Sequence, residues 1–285
     1  NIAFWDPTIR KYRAYWRFFT PTEIRAIRTA VSDDLVTWSD ERDLTYVDSP
    51  EQHMYTNNVI PYFRAPHILL GFPMRYTDRG WNPSMRALPD LENRRKRIAA
   101  HPRYGQALTE TQIMSSRDGI NFDRGFMEAF LRPGLDQRNW HERGIYFQHG
   151  IYQTSPTELS MYVNEHLKTP GTHVRRYTLR PDGFVSVNAG YAGGEFVTRP
   201  FVFDGQEMEL NYSTSAVGTV QVEIQDDRGN VVPGFALDDC PEIFGDQIEG
   251  AVRWNSGGDV SRLAGKPVKL RLAINDADLY AFRFR

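Results

Sequence analysis

One short phrase occurs twice in this chain, and it constrains the fold more than any other feature. Ser32-Asp33-Asp34-Leu35-Val36-Thr37-Trp38 reads S-x-D-x-x-x-W, and Ser116-Arg117-Asp118-Gly119-Ile120-Asn121-Phe122 reads S-x-D-x-x-x-F. A shortened echo follows at Arg180-Pro181-Asp182-Gly183-Phe184. Each copy comes after a strand-like run, at residues 25–30, 112–115 and 173–179. An Asp-Gly type turn between a strand and a following aromatic is hairpin chemistry. The same hairpin at long, regular intervals marks a repeated β-sheet unit, which predicts an all-β chain built as a β-propeller.

The alternation of Lys11-Tyr12-Arg13-Ala14-Tyr15-Trp16-Arg17 at period two is that of a half-buried strand. Reading on in this way gives three four-stranded blades. The first has strands near 1–5, 11–18, 25–31 and 44–48. The second has strands near 57–63, 67–73, 111–117 and 126–130, and the third near 145–154, 158–165, 172–179 and 184–188. Residues 80–108 interrupt the second blade. The stretch from Arg86 to Ala100 is rich in Leu, Glu, Arg and Ala, which predicts a short helix within a long loop.

From about Gly190 short strands with turn signals follow, near 195–203, 206–213, 218–225, 247–254, 267–274 and 278–284. They predict a β-sandwich over 191–285 after a propeller over 1–190. Three blades are fewer than the four to eight a propeller uses. The chain opens at Asn1 directly on a strand, so the expectation is that the N-terminal blades of a five-bladed propeller lie outside it.

A net charge of −2 and ordinary hydrophobic content give no sign of disorder or of a nucleic-acid binder. No apolar run is long enough to span a membrane. The one cysteine, Cys240, excludes an internal disulfide and a CxxC zinc site. The seven histidines show no HxxxH spacing, so no metal ligands are assigned. Arginine outnumbers lysine 29 to 5, which reflects either a GC-rich genome or bidentate recognition of carboxylate or sulfate.

With its aspartate–aromatic hairpins and following sandwich, the chain resembles the five-bladed glycoside hydrolases of the levanase/invertase and arabinanase-xylosidase type. The segments Gly194-Glu195-Phe196-Val197-Thr198-Arg199-Pro200, Gly234-Phe235-Ala236-Leu237-Asp238-Asp239-Cys240 and Leu279-Tyr280-Ala281-Phe282 resemble the C-terminal module of bacterial relatives of those hydrolases. The resemblance implies an exo-acting, secreted or periplasmic hydrolase of plant or algal oligosaccharides. Its three acidic residues would lie on successive blades, and a structural calcium in the channel is compatible with the architecture. The family's Arg-Asp-Pro phrase meets only Trp5-Asp6-Pro7 here, where Asp6 reads as a turn residue. The Glu-Cys phrase around the general acid is absent.

Glycoside cleavage needs one protonated and one ionised carboxyl. Three glutamates stand where blade strands begin or end: Glu142 beside Arg143, Glu110 before Thr111, and Glu165 beside His166. Glu142 and Glu165 form the preferred pair, with Arg143 expected to help keep a carboxylate ionised. Sugar hydroxyls and C–H faces suit the cluster His53, Tyr55 and Asn57, which equally suits strand-end capping. Arg75, Arg79 and Trp81 fit an acidic or sulfated sugar, or pair with nearby acids such as Asp78. His149 and His166 complete the candidates for substrate contact. The alternatives are a non-catalytic carbohydrate-binding protein and a protein-interaction propeller. An apposed acid pair favours hydrolysis, and aromatics and amides without such a pair favour binding.

Overall fold

In the computed structural model, which describes residues 1–285, the two Ser-x-Asp phrases make the same turn. Ser32 Oγ donates to Asp34 Oδ1 (3.0 Å) and accepts from the N–H of Asp34 and Leu35. Asp34 Oδ1 accepts from the N–H of Val36 (2.8 Å) and Thr37 (2.7 Å). Ser116 and Asp118 repeat this pattern with Gly119, Ile120 and Asn121. The residue after each aspartate has positive φ, 66° at Leu35 and 80° at Gly119. The later echo forms a different turn: it has no serine, and Asp182 rather than Gly183 carries the positive φ.

The chain is mostly β and forms two compact units. One comprises residues 1–152 and 160–177, and the other 153–159 and 178–285. The first unit opens with an antiparallel sheet of β1 (Ile2–Asp6), β2 (Lys11–Phe19), β3 (Arg25–Ser32) and β4 (Trp38–Asp43), in chain order. The expected fourth strand at 44–48 is displaced. β5 (Thr45–Val47) leaves this sheet and pairs in parallel with a later strand, because Ser32–Thr37 is itself the turn into β4. β6 (His53–Met54), β7 (Ile60–Tyr62), β8 (Ala65–Gly71) and β9 (Met74–Asp78) follow.

The insertion folds as two helices rather than one, α1 (Pro83–Ala87) and α2 (Leu91–Ala100). Asn82 Oδ1 caps α1 by accepting from Met85 N–H, and the buried Arg94 donates to the carbonyls of Met85, Leu88 and Pro89. β10 (Ala107–Thr111), β11 (Met114–Ser116) and β12 (Asn121–Asp123) come next. They complete two sheets, ordered β10-β9-β6 and β5-β12-β11-β8-β7. β12 therefore takes the place expected for 126–130, which is not a strand. A further sheet centres on β15 (Glu158–Glu165), flanked by β13 (Tyr146–Phe147) and β14 (Tyr152–Ser155), with β16 (His173–Leu179) also paired to it.

β17 (Val187–Ala189), read from sequence as the third blade's last strand, instead pairs with the C-terminal strand of the second unit. There hydrogen bonding joins β17, β18 (Gly194–Val197), β19 (Phe201–Val202), β20 (Met208–Asp226), β21 (Asp246–Ala251) and β22 (Pro267–Phe284) into one six-stranded sheet. The strands expected at 206–213 and 218–225 are one strand, β20, and those at 267–274 and 278–284 are β22. The register slips between Thr214 and Thr219. Gly218 permits this, since a Cβ there would lie 2.2 Å from the carbonyl oxygen of Asp276. Alternate residues on both sides of the slip, Leu210 and Tyr212, then Val220, Val222 and Ile224, enter a single apolar core.

In the first unit Tyr15, Ile27, Met54, Val59, Leu69, Met114 and Phe122 form the apolar centre. Tyr15 OH donates to Gly119 O (2.8 Å), tying β2 to the second Ser-x-Asp turn. Asp6 accepts from Thr8 N–H and from the buried Arg13, which supports its reading as a turn residue.

Ser32 and Ser116 are buried, so their replacement by alanine is expected to cost about 1–2 kcal/mol each. Leu35 pays for a left-handed backbone with a half-exposed side chain, so Leu35→Gly is expected to hold or raise the melting temperature. Gly119→Leu should lower it sharply, because a Cβ there meets Arg13 and Tyr15. Burial pushes Asp118 up, but the N–H groups of Ile120 and Asn121 and the Asn121 amide outweigh it and bring it down to about 2. A carboxyl lowered from 3.8 on folding stabilises above pH ~4 and loses that contribution as pH falls toward 2. Melting curves should show this loss, and Asp118→Asn should diminish it.

Candidate functional site

β9 organises the predicted residues by simple alternation. Arg75 pairs with Glu110 and Met54 across the sheet, while its neighbour Tyr76 pairs with Thr109 and His53. Successive side chains leave opposite faces of a strand, so the sequence candidates separate into two groups.

On one face Arg75 donates to Glu110 Oε2 (2.7 Å) and to Met127 O (2.8 Å). Glu110 also lines a largely apolar cleft of about 710 Å³ with Leu108, Arg132, Leu135 and Trp140. Arg143, which borders the same cleft, is buried and donates to the carbonyls of Ala107, His141 and Tyr104. Its guanidinium thus holds backbone carbonyls by hydrogen bonds, while its charge also interacts with the neighbouring Glu142.

On the other face His53 and Tyr76 meet edge to face, 6.2 Å apart. Three arginines that the sequence reading did not single out gather here: Arg17, Arg25 and Arg103. Arg17 lies 4.9 Å over Tyr55, and Arg25 lies 4.8 Å over Tyr76 and 5.5 Å over Phe19. Arg25 is only 7% exposed, and its Nε and Nη1 have no hydrogen-bond partner. Burial lowers its pKa, and Arg103 and Arg17 lower it further. The N–H of Arg25 donates to His53 Nδ1 (3.0 Å). A neutral His53 therefore carries its proton on Nε2, and burial followed by Arg103 and Arg25 favours that neutral form. Arg103 Nη1 stands 3.4 Å from this Nε2, so two donors face each other.

Tyr146 meets Tyr55 edge to face at 6.2 Å. Burial pushes its phenol up to about 12, with Tyr55 and Glu142 adding to the effect. Glu142 accepts from Arg97 Nη1 (2.5 Å) and Lys168 Nζ (3.2 Å). Burial pushes Glu142 up, but Arg97 and then Lys168 outweigh it and hold the carboxyl below its usual range. Arg97 comes from α2, so the insertion supplies the cation that keeps Glu142 ionised.

Glu165 is buried and accepts from Tyr177 OH and from Arg175 Nε (2.7 Å). Burial raises it, and these two partners then bring it below the usual range. His166 is buried against Asp136, at 2.9 Å. Asn57 is buried, donates to Tyr15 O and accepts from Val59 N–H, the capping role. Arg79 is exposed, and Trp81 lies under the Arg94 guanidinium at 5.4 Å. His149, expected on an inner strand, sits exposed in the bend between β13 and β14. Glu165, His166 and His173 bring potential ligand atoms within 4.8 Å of one another. Two imidazoles are a poor match for calcium, which takes six to eight oxygens, so this cluster does not fit the calcium that the architecture suggested.

No protein-family model matches this sequence, and no curated protein matches it. Among solved structures, an N-acetylgalactosamine deacetylase from F. plautii, in complex with blood group B trisaccharide, matches at 12% identity and a TM-score of 0.37. The match covers 96% of this chain and 48% of that one, so the chain spans about half its length. A family 43 arabinoxylan arabinofuranohydrolase from Bacillus subtilis, in complex with cellotetraose, matches at 10% identity and a TM-score of 0.37, over 99% of this chain and 66% of that one. The Bombyx mori GH32 β-fructofuranosidase matches at 8% identity and a TM-score of 0.33, over 96% of this chain and 89% of that one.

Replacing Arg97 with Gln leaves burial with less opposition at Glu142. The Glu142 carboxyl should then titrate at higher pH than in the wild type, as read by carboxyl-selective NMR. An unchanged value would show that Arg97 does not govern its ionisation.

Proposed function

We propose that this chain is a glycoside hydrolase-like, carbohydrate-active protein whose first unit recognises a saccharide bearing a carboxylate or sulfate. The observation that carries this reading is the buried Arg25 guanidinium, two of whose nitrogens lack any partner, flanked by Arg17 and Arg103. Neither Arg17 nor Arg103 forms an ion pair with a carboxylate. An anionic oxygen would accept from Arg103 and His53 together and relieve their facing donors. Tyr55, Tyr76 and Tyr146 would cover the sugar's C–H face.

A second reading, binding without hydrolysis, has its own support. Hydrolysis by paired carboxylates requires one that stays protonated. Glu142 and Glu165 are both held toward the ionised form, and Glu110 is paired with Arg75. In the hydrolytic reading Glu142, held by Arg97 and Lys168, serves as the ionised member.

Calorimetric titration with neutral, uronic and sulfated oligosaccharides separates the outcomes. The acidic ligands should bind at least ~10-fold more tightly than neutral ones of the same length, with affinity falling as salt rises. Arg25→Met should remove that preference while leaving the melting temperature unchanged or higher, since it replaces a buried unpaired charge with an apolar side chain. Equal affinity for neutral and acidic sugars would overturn the anionic reading. Turnover by the wild type that falls ~10²-fold or more in Glu142→Gln would favour hydrolysis over binding alone.

A further inference from the structure

β15 ends at Glu165, and the chain then turns sharply through His166, whose φ is 52°. Thr169 and Thr172 both donate through their hydroxyls to His166 O, which closes the connection before β16 starts at His173. Residues one and eight positions after Glu165 are thereby brought back beside it. Glu165 Oε2 stands 3.6 Å from His173 Nε2, and the two imidazole rings are 4.5 Å apart.

The hydrogen bonds at the far side of each ring fix its tautomer. His173 Nδ1 lies 2.9 Å from Gly171 O, and a carbonyl only accepts, so Nδ1 carries the proton and Nε2 presents a lone pair. His166 Nε2 lies 2.9 Å from Asp136 Oδ2, and a carboxylate likewise takes the proton-bearing nitrogen. Its Nδ1 is left with a lone pair and makes no hydrogen bond. One ring nitrogen of each histidine and a carboxylate oxygen of Glu165 fall within 4.8 Å of one another, and for His173 the lone-pair nitrogen Nε2 is 3.6 Å from Glu165 Oε2. Imidazoles anchored to a carboxylate and to a carbonyl are the outer-sphere arrangement of metal-binding histidines.

We propose that Glu165, His166 and His173 form a site for a divalent late first-row metal ion, with zinc the best match. Two imidazole nitrogens and one carboxylate are a zinc donor set that leaves a fourth position open, at ligand distances of about 2.0–2.2 Å. The charges around the site are Asp136 and Glu165, opposed by Arg138 and Arg175. Arg175 is half-exposed and occupies one lone pair of Glu165 Oε2, which leaves another for a metal. Tyr177 steadies the second oxygen. The site is independent of the Arg25 cluster and does not require the saccharide reading.

The test is titration of chelator-stripped full-length protein with Zn²⁺ against a chromophoric competitor, and with Co²⁺ as a spectroscopic probe. The expected result is one ion per chain, visible Co²⁺ bands of a four- or five-coordinate N/O site, and a melting temperature that rises with Zn²⁺. His173 is partly exposed, so His173→Ala should fold while weakening binding by ~100-fold or more. Asp136→Asn should weaken it ~10- to 100-fold. Arg175→Gln should leave affinity equal or tighter. Binding no tighter than millimolar, or binding indifferent to His173→Ala, would overturn the proposal and leave the cluster as an ion-pair network.

Discussion

The pleat of β9 is the constraint on which the first unit's chemistry depends. Arg75 and Tyr76 are neighbours in sequence but project to opposite faces. One face pairs Arg75 with Glu110 beside an apolar cleft, and the other assembles His53, Tyr76 and the arginine cluster. A one-residue slip of β9 against β10 would exchange the two sets and destroy both. The sheet of three strands is small, but the buried Met54 and Met74 and the two-sided pairing of β9 hold its register.

Arg25 shows how that geometry relates stability to function. Taking a guanidinium out of water without an anion is costly, and each flanking aromatic returns only about 0.5–2 kcal/mol. Phe19, Tyr55 and Tyr76 surround it, yet Arg103 and Arg17 add repulsion. Most arginines elsewhere in the fold are satisfied, as Arg94 is by three carbonyls, Arg143 by three more and Arg13 by Asp6. Arg75 and Arg124 each leave only Nε unpartnered, whereas Arg25 leaves two buried nitrogens unpartnered beside two further arginines, unfavourable energy that an anionic ligand would release in the proposed reading.

What could be read from sequence was local. The Ser-x-Asp phrases announce their turns because every hydrogen bond in them spans at most three residues. The parallel pairing of β5 with β12 was invisible for the opposite reason, since it joins residues about 76 positions apart. β20 and β22 each read as two strands in the sequence, whereas the structure keeps each continuous across a register slip between Thr214 and Thr219. Glu142 and Arg143 are adjacent and their charges interact, but the cations that hydrogen-bond Glu142 come from Arg97 in the insertion and from Lys168, positions that the local sequence does not connect to it. Arg25 looked like an ordinary strand residue. Its buried, unpartnered guanidinium depends on Arg17, Tyr76 and Arg103, which nothing in the local pattern connects to it.

The same argument explains why the metal-type cluster has no motif. Helical metal sites show regular spacing because one face returns every three or four residues. Here Glu165 and His166 end a strand and His173 begins the next, so the spacing is set by the length of a tight connection. His166 faces inward only because its backbone turns left-handed, and that conformation is held by its own carbonyl accepting from Thr169 and Thr172. The two threonines therefore position the imidazole as directly as Asp136 orients its ring. The chemistry of this corner is written in hydroxyls that, read along the chain, look like an ordinary polar turn.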